Sequence, residues 1–331
     1  MNPTLAPNLR SAAILFAPIA DDLEAAEKIL RDTIDSPEPG VDRLVDHLSH
    51  YRGKRLRPAL LLLTARACGN LNSAHPVLAA VVEMVHTATL VHDDVLDSAD
   101  VRRHVQTVNA RWGNQASILL GDYLFTHAFH LSASLDDVRA CRIIGETTNR
   151  VCAGELHQVC ERGNLDLSEE AYFNIIDGKT AELTACACRL GALYADSRED
   201  VVEHLANYGR YLGLAFQIAD DLLDLVGEER VAGKSLGTDL DQKKMTLPLI
   251  HFFANADAAR AQRVRQWLGT PSPRLRELLR PELEATGSIR YARERALEYS
   301  AAAIAELGCL PHSEYRNILE FMADQAVRRD C

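Results

Sequence analysis

Two acidic pentapeptides have the spacing needed to bind a divalent cation. They are residues 93–97 (DDVLD) and residues 220–224 (DDLLD), and each ends a long apolar run. On a helix, side chains four residues apart lie on the same face, so each pentad directs two or three carboxylates at one point. Carboxylates this close repel one another unless a cation lies among them. The pattern therefore predicts metal ligands at Asp93, Asp94, Asp97, Asp220, Asp221 and Asp224.

A single pentad of this kind is the solvated end of a helix as often as it is a metal site, because acidic residues in water need no ligand. The Asp21-Asp22 and Asp136-Asp137 pairs are of this ordinary kind, because acids suit the start of a helix. Two copies, each ending an apolar helix, favour metal binding instead. Magnesium takes one or two carboxylates and completes its shell with water and substrate phosphate. The pentads therefore indicate Mg²⁺ and a phosphorylated substrate.

Basic residues near the first pentad support a phosphate ligand. One loop contains four of them, namely Arg52, Lys54, Arg55 and Arg57, and Arg102-Arg103 follow the pentad. Such a cluster is often only a charged surface. However, the chain as a whole has a net charge of −11, and the cluster lies near predicted metal sites that need a diphosphate to complete their ligands. Phosphate binding is therefore the better interpretation of these basic residues. His86 lies two turns before Asp93 and is placed to donate a hydrogen bond to phosphate, whereas His92 is interpreted as structural.

The elements that position these residues are helices. Apolar residues recur three and four apart, and the pattern predicts an all-α, single-domain helical bundle over residues 1–331, with residues 1–18 loosely ordered. No strand-like alternation is apparent. The predicted helices cover residues 21–34, a short following segment, and residues 59–68, 75–97 and 200–225. Between the last two, one helix follows Asn114 and ends at Leu131, one opens at residues 135–137 and runs to about Cys160, and one follows the loop at residues 164–170 and runs through Leu193. Shorter pieces follow after residue 239.

Composition excludes several classes of protein. The net charge of −11 argues against a nucleic-acid partner, which needs a basic face. Eight cysteines without a CxxC pair indicate reduced thiols in a cytoplasmic protein. The N-terminal apolar patch is too short for a signal peptide. A helix needs about 20 consecutive apolar residues to span a bilayer, and no stretch of the chain is expected to do so. Contact with a membrane is expected only transiently, when a greasy product leaves.

These motifs resemble those of the trans-type isoprenyl diphosphate synthases, or polyprenyl synthetases. Residues 53–58 (GKRLRP) are similar to the GKRxRP loop of that family, and residues 216–224 (FQIADDLLD) to its second aspartate-rich motif. The resemblance extends from about residue 21 to Pro248. It implies an isoprenoid-synthase fold with a central cavity, faced by both pentads, two or three Mg²⁺ ions, and a homodimer.

The resemblance also implies a role for each site residue. Isopentenyl diphosphate is expected at Lys54, Arg57, His86 and Arg103. An allylic diphosphate is expected at Arg102, Lys179, Thr180, Gln217, Lys234 and Lys244. Catalysis is expected to depend on Asp93, Asp97, Asp220 and Lys179. The implied reaction is a head-to-tail condensation: allylic diphosphate departs, and the isopentenyl double bond attacks C1.

One segment departs from the family pattern. The family commonly continues its arginine pair as RRGxPT, whereas this chain has RRHVQT at residues 102–107. Without the glycine and the proline, the loop has a different backbone freedom. The arginines remain, so activity is expected to be retained.

Product length is expected to depend on the helix that leads to Asp93. In the family, a bulky aromatic residue four or five positions before this aspartate gives a short product. Here these positions are Thr89 and Ala88, with Val85 one turn further back, and all three are small. We therefore expect a C30 to C50 all-trans polyprenyl diphosphate, with the C20 geranylgeranyl product as the alternative.

Two other classes of protein are less consistent with the sequence. A terpene cyclase usually has an Asn/Ser/Glu metal motif at its second site and needs no isopentenyl pocket. A non-catalytic partner subunit would be free to lose a pentad. This chain retains both pentads, the GKRLRP loop and His86.

Overall fold

The computed structural model describes residues 14–51, 53–227, 236–270, 272 and 274–328. Their contacts form two compact units. The first unit contains the described residues up to Thr148 with Cys186–Ala206 and Cys309–Leu319. The second contains Asn149–Ala185, Asn207–Gly308 and the described residues from Glu320. The all-α prediction is confirmed.

The first half of the chain forms helices close to those predicted. They are α1 (Ala20–Ile34), α2 (Pro39–Leu48), α3 (Leu56–Ala67), α4 (Ala74–Leu96), α5 (Val108–Trp112), α6 (Asn114–Ala133) and α7 (Val138–Cys160). Short 3-10 turns lie at Ala17–Ile19 and Ser49–Tyr51. Helix α3 begins three residues earlier than predicted, since Pro58 occupies its third position and leaves the first turn intact.

Helix α4 is the core helix of the first unit. Leu78, Val81 and Val85 have almost no solvent exposure, and α4 packs most extensively against α6. It is long and apolar enough to cross a membrane by length and composition, contrary to the expectation from sequence. However, 61% of its most apolar window is buried inside the protein, as expected for a helix packed in a core.

A small antiparallel hairpin follows α4. Strand β1 (Val101–Arg102) pairs with β2 (Val105–Gln106), with Arg102 opposite Val105. The expectation that strands are absent is therefore wrong at this point. Two-residue strands are too short to show an alternating pattern. Arg103 and His104 form the turn with φ of 51° and 66°, the left-handed conformation that both turn positions of a type I′ hairpin require.

The remaining helices differ from prediction in one important place. They are α8 (Glu169–Ile176), α9 (Glu182–Tyr194), α10 (Glu199–Val226), α11 (Thr238–Asp241), α12 (Leu247–Asn255), α13 (Ala258–Leu268), α14 (Leu275–Ala285), α15 (Ser288–Glu306) and α16 (Glu314–Val327). A further 3-10 turn lies at Leu307–Cys309. The sequence predicts one helix through Leu193, but a π-helical turn, Asp177–Ala181, separates α8 from α9. The core of the second unit is formed by apolar residues of α8, α10, α12, α14 and α15.

Candidate active site

The first pentad lies at the C-terminal end of α4. Asp93 is in the last turn, and Asp97 caps the helix by donating its backbone N–H to the Asp93 carbonyl at 2.8 Å. The two side chains therefore stay one turn apart, and both are half-buried. That this carboxylate pair binds a metal ion stays a prediction.

Asp94, in contrast, is engaged by protein groups. It is buried, and Arg102 donates from Nε to its Oδ1 at 2.8 Å. The Tyr51 hydroxyl approaches the other oxygen at 3.5 Å and accepts the Val108 N–H at 3.0 Å. Burial raises the pKa of Asp94, and the Arg102 charge opposes this shift. In this structure Asp94 thus anchors the hairpin; its role as a metal ligand stays a prediction.

The turn of the hairpin places Arg103 over the basic loop. Arg103 donates to the Tyr51 carbonyl, and its guanidinium packs against Gly53. A Cβ built on Gly53 would lie 2.8 Å from Nη2 and 2.9 Å from Cζ of Arg103, inside contact distance. A side chain at residue 53 would therefore displace the end of the Arg103 side chain from its observed position.

The basic loop and α4 form a cationic cluster around His86. Arg57 donates to the His86 Nε2 at 3.1 Å, so the other ring nitrogen, Nδ1, carries the proton. Burial and the nearby arginines, with Arg57 and Arg103 first among them, hold the pKa of His86 well below its usual value. Because Arg57 can only donate, His86 Nε2 accepts this bond, and the ring is neutral with Nδ1–H as its remaining donor. That His86 donates to phosphate stays a prediction.

Two other residues of the basic loop have different surroundings. Lys54 is exposed. Arg55 is the N-cap residue that precedes α3, has a φ of 52°, and pairs with the carboxylates of Glu83 and Glu27. It is therefore a structural anchor, whereas Arg57 has a buried Nε with no hydrogen-bond partner among the described residues. An unsatisfied buried guanidinium nitrogen is what an anion would satisfy.

The second pentad lies near the end of α10 in the second unit. Asp220 is half-buried and Asp221 is buried. Tyr172 donates its hydroxyl to Asp221 Oδ2 at 2.7 Å, and Gln217 donates Nε2 to Oδ1 at 2.8 Å. Burial raises the pKa of Asp221 well above its ordinary value, and the charge of Asp239 adds to this shift. Both oxygens of Asp221 are thus held by protein donors.

Asp224, the last residue of the second pentad, holds a loop. Its carboxylate accepts the Thr238 N–H at 3.3 Å, the Thr238 hydroxyl at 3.0 Å and the Asp239 N–H at 3.0 Å. These contacts satisfy the start of α11. In this structure the carboxylate caps a helix, and its predicted role as a metal ligand remains to be tested.

Two of the predicted lysines, Lys179 and Lys244, lie around a small cavity in the second unit. The cavity has a volume of about 60 Å³, and its lining includes Lys179, Gln217, Asp221, Asp239 and Lys244. Lys179 contacts Glu155 at 2.6 Å and Gln158 at 2.8 Å. Thr180 donates to the Gln217 side-chain oxygen at 2.8 Å.

The cavity lining brings four predicted site residues together, Lys179, Gln217, Asp221 and Lys244, and the hydrogen bond to Gln217 adds a fifth, Thr180. Lys244 Nζ also lies 3.7 Å from a carboxylate oxygen of Asp239. Lys234 lies outside the described residues.

The predicted product wall is closely packed. Val85 and Ala88 have 1% and 0% exposure, and Thr89 is half-buried and donates its hydroxyl to the His86 carbonyl at 2.8 Å. Because helical residues advance by about 100°, Thr89 shares the face of Asp93 while Ala88 lies well to one side. That these three residues line a product tunnel stays a prediction.

Several residues around the site were not identified from sequence. Tyr51 and Tyr172 each contact the middle carboxylate of a pentad, and Glu155 pairs with Lys179. Each of these residues lies 24 to 49 positions from its partner in the sequence, so no local motif links them. A single tyrosine in a mostly apolar stretch normally indicates only a core position.

The comparisons with known proteins agree with the motifs. The family model described as Polyprenyl synthetase matches residues 38–280. The octaprenyl diphosphate synthase of Escherichia coli (strain K12) is 38% identical over 314 residues, which are 94% of this chain and 97% of that protein.

Solved structures are similar over nearly the whole length. A decaprenyl diphosphate synthase from Rhodobacter capsulatus has a TM-score of 0.90 at 36% identity, covering 96% of this chain and 99% of that chain. A polyprenyl synthase from Caulobacter crescentus CB15, complexed with calcium and isoprenyl diphosphate, has a TM-score of 0.90 at 34% identity, covering 96% and 98%. This chain belongs to the polyprenyl synthetase family.

Proposed function

We propose that the protein is a magnesium-dependent trans-prenyltransferase that condenses an allylic diphosphate with isopentenyl diphosphate. The product is an all-trans polyprenyl diphosphate of C30 to C50. Family membership supports the reaction class. The observation that carries the proposal is the cationic cluster of Arg57, Arg103 and neutral His86, placed on and beside the helix that ends in the first pentad.

The isopentenyl diphosphate subsite is assigned to this cluster. Arg57 offers its unsatisfied buried Nε, and His86 offers Nδ1–H. Burial lowers the pKa values of Arg57 and Arg103, and the charge of a neighbouring arginine, Arg103 for Arg57 and Arg102 for Arg103, adds to each shift. Such shifts are expected of cations gathered to bind an anion. Lys54 is exposed at the edge and supplies a mobile point charge.

The allylic diphosphate subsite is assigned to the lysines of the second unit. Lys179 and Lys244 line the small cavity beside Asp221, and Gln217 and Thr180 are hydrogen-bonded to each other there. In the described structure these lysines contact the carboxylates of Glu155 and Asp239. A diphosphate would compete for the same ammonium groups. Arg102 is assigned to the same substrate and has its Nε fixed by Asp94.

The donor set fits magnesium. Asp93, Asp97 and Asp220 present hard carboxylate oxygens, the ligand type that Mg²⁺ prefers. The described residues do not form a ready-made group of three or more metal-binding side chains. This suits an ion that takes one or two carboxylates and completes its shell with water and diphosphate. We propose two or three ions, which when bound neutralise the leaving diphosphate as Lewis acids.

The residues of the chain have distinct tasks in the reaction. The ammonium groups of Lys179 and Lys244 stabilise the charge that develops as the C1–O bond of the allylic substrate breaks. Diphosphate leaves with the electron pair. Arg57 and His86 hold the isopentenyl diphosphate so that its double bond attacks C1. The resulting cation then loses a proton to the released diphosphate, which restores a double bond. Because the isopentenyl double bond is the nucleophile, no nucleophilic side chain is required.

The product-length proposal rests on two kinds of support. Val85, Ala88 and Thr89 are small residues before Asp93, and the relatives just described are named octaprenyl and decaprenyl synthases. Both favour a long chain over the C20 alternative.

We also propose a cytoplasmic homodimer. The described cysteines are free thiols, as a reducing compartment would keep them. Ile118 and Leu119 on α6 are 46% and 58% exposed, an apolar patch that a second copy would cover.

A substrate assay tests the proposed function against its alternatives. The purified protein is incubated with Mg²⁺, an allylic diphosphate and isopentenyl diphosphate, and each substrate is omitted in turn. The proposal predicts elongated diphosphates that require both substrates. A cyclic hydrocarbon formed from the allylic substrate alone would instead identify a terpene cyclase, and no product from folded protein would identify a non-catalytic subunit.

A further inference from the structure

The π-helical turn Asp177–Ala181 carries two of the predicted allylic-site residues, Lys179 and Thr180. It is closed by a hydrogen bond from the Glu182 N–H to the Asp177 carbonyl, five residues apart. Such turns are rare and are usually maintained only where the surroundings favour them. Relaxing the turn to an α-helix would shift the register by one residue, or about 100°, and would redirect both side chains.

One side chain of α10 bridges the two ends of this turn. Arg210 donates Nη1 to the Asp177 carboxylate at the start and Nη2 to Glu182 Oε2 at the end, the latter at 2.8 Å. Arg210 and Asp177 have side-chain exposures of 30% and 32%, whereas Glu182 has only 10%. Arg150 adds a longer contact of 3.3 Å to the same Glu182 oxygen. A planar guanidinium can hold both carboxylates at a fixed separation.

Glycines fix the other sides of the turn. Gly154 of α7 lies so close to the turn that a Cβ there would be 2.6 Å from the backbone nitrogen of Lys179 and 2.9 Å from the carbonyl carbon of Gly178. A Cβ on Gly213 of α10 would be 2.5 Å from the Ala181 Cα. Helices α7 and α10 thus approach the turn at backbone contact. This brings Lys179 Nζ to Glu155 and Gln158 on α7.

The turn is also linked to the second pentad. Thr180 donates to Gln217, and Gln217 donates to Asp221. A change of register at Thr180 would therefore remove one partner of Gln217 and disturb the orientation of the Asp221 carboxylate.

We propose that Arg210 is a positioning residue for the allylic diphosphate subsite, acting by holding the π-helical turn that presents Lys179 and Thr180. Arg210 need not contact substrate. Without the Arg210 guanidinium, nothing fixes the distance between the carboxylates of Asp177 and Glu182, and the π-helical turn between them is free to relax. The inference rests on the proposed function, since it deepens the assignment of Lys179 and Thr180 to the allylic substrate.

The test compares Arg210→Gln with Arg66→Gln. Arg66 is a matched control in the first unit, since it makes a two-point ion pair with Asp22 at 2.9 Å from both Nε and Nη2 and is 38% exposed. Both variants lose a partly buried ion pair. We expect Arg210→Gln to raise the KM for the allylic diphosphate about tenfold or more, because misplacement by about 1 Å costs up to about a hundredfold. The KM for isopentenyl diphosphate should change less than twofold, and Arg66→Gln should leave both KM values unchanged.

A second measurement reports on the turn itself. Hydrogen exchange of the amides at residues 177–182 should accelerate in Arg210→Gln relative to wild type and to Arg66→Gln. Arg210→Lys, which keeps the charge but can hold only one carboxylate at a time, should give intermediate values in both measurements. If Arg210→Gln does not fold, Arg210→Lys and Asp177→Asn provide the same comparison.

The outcomes separate this inference from the proposed function. If the wild type elongates the allylic substrate but Arg210→Gln has the KM values and exchange rates of the control, the positioning role is wrong. Equal increases in both KM values would indicate a general loss of structure and would also overturn it. If the wild type itself forms no elongated product, the proposed function fails, while the exchange measurement still tests the link between Arg210 and the turn.

Discussion

Replacing Gly53 by alanine is expected to displace Arg103 and weaken isopentenyl diphosphate binding. The new Cβ would lie 2.8 Å from Nη2 and 2.9 Å from Cζ of Arg103, so the guanidinium must move by roughly 1 Å to reach ordinary contact distance. Only the end of a flexible side chain has to shift, and the free energy of unfolding should fall by less than about 1 kcal/mol. The contact between Arg103 and the Tyr51 carbonyl would be lost.

The functional effect should be much larger than the effect on stability. A hydrogen bond to a charged group contributes about 2 kcal/mol. Loss of the proposed bond between Arg103 and isopentenyl diphosphate should therefore raise the KM for this substrate about thirtyfold. Steady-state kinetics with each substrate varied in turn measures this. Gly40→Ala is the matched control, since a Cβ at Gly40 in α2 meets no atom within 4 Å. An unchanged KM for isopentenyl diphosphate in Gly53→Ala would refute the assignment of Arg103 to this substrate.

Three further substitutions test separate features. His104→Gly should raise the free energy of unfolding by about 1 kcal/mol in denaturant titration, because residue 104 has a φ of 66° that glycine adopts without strain; a loss of stability would contradict the hairpin geometry. Burial lowers the pKa of His75, so the unfolded chain binds a proton first and stability falls as the pH drops below about 6.5. Glutamine at residue 75 can still accept from the Asn72 N–H and donate to the Gly191 carbonyl. His75→Gln should therefore reduce the slope of the free energy of unfolding against pH by up to about 1.4 kcal/mol per pH unit. Equal slopes in the two proteins would show that His75 does not titrate in this way. Ala88→Phe, or Thr89→Phe if the first variant does not fold, should shorten the product on chromatography against polyprenol standards, and an unchanged profile would exclude this wall.

The long elements could be predicted from sequence because their apolar periodicity is strong. Helix α4 was predicted at residues 75–97 and spans Ala74–Leu96, and α10 was predicted at 200–225 and spans Glu199–Val226. Both pentads accordingly lie at the C-terminal ends of their helices. The π-helical turn was missed because one extra residue hardly changes the periodicity of the segment.

The roles within each pentad were less predictable. The spacing of the carboxylates identifies a cluster, but it does not show which of them have protein partners. Asp94 is held by Arg102, and Asp224 caps the segment that begins at Thr238. These partners are brought together by the hairpin and by α11, two elements too short to have a clear sequence signature. The departure at His104 was visible in the sequence, but its left-handed backbone was not.

The most direct test of the central claim is the turnover of Asp93→Ala and Asp220→Ala, one variant for each pentad. Each is assayed with Mg²⁺, an allylic diphosphate and isopentenyl diphosphate, and circular dichroism confirms that each remains folded. If the pentads bind the metal that activates the diphosphate, both variants should lose turnover by at least about a hundredfold. A folded variant with a near-normal rate would contradict the assignment of its pentad to catalysis.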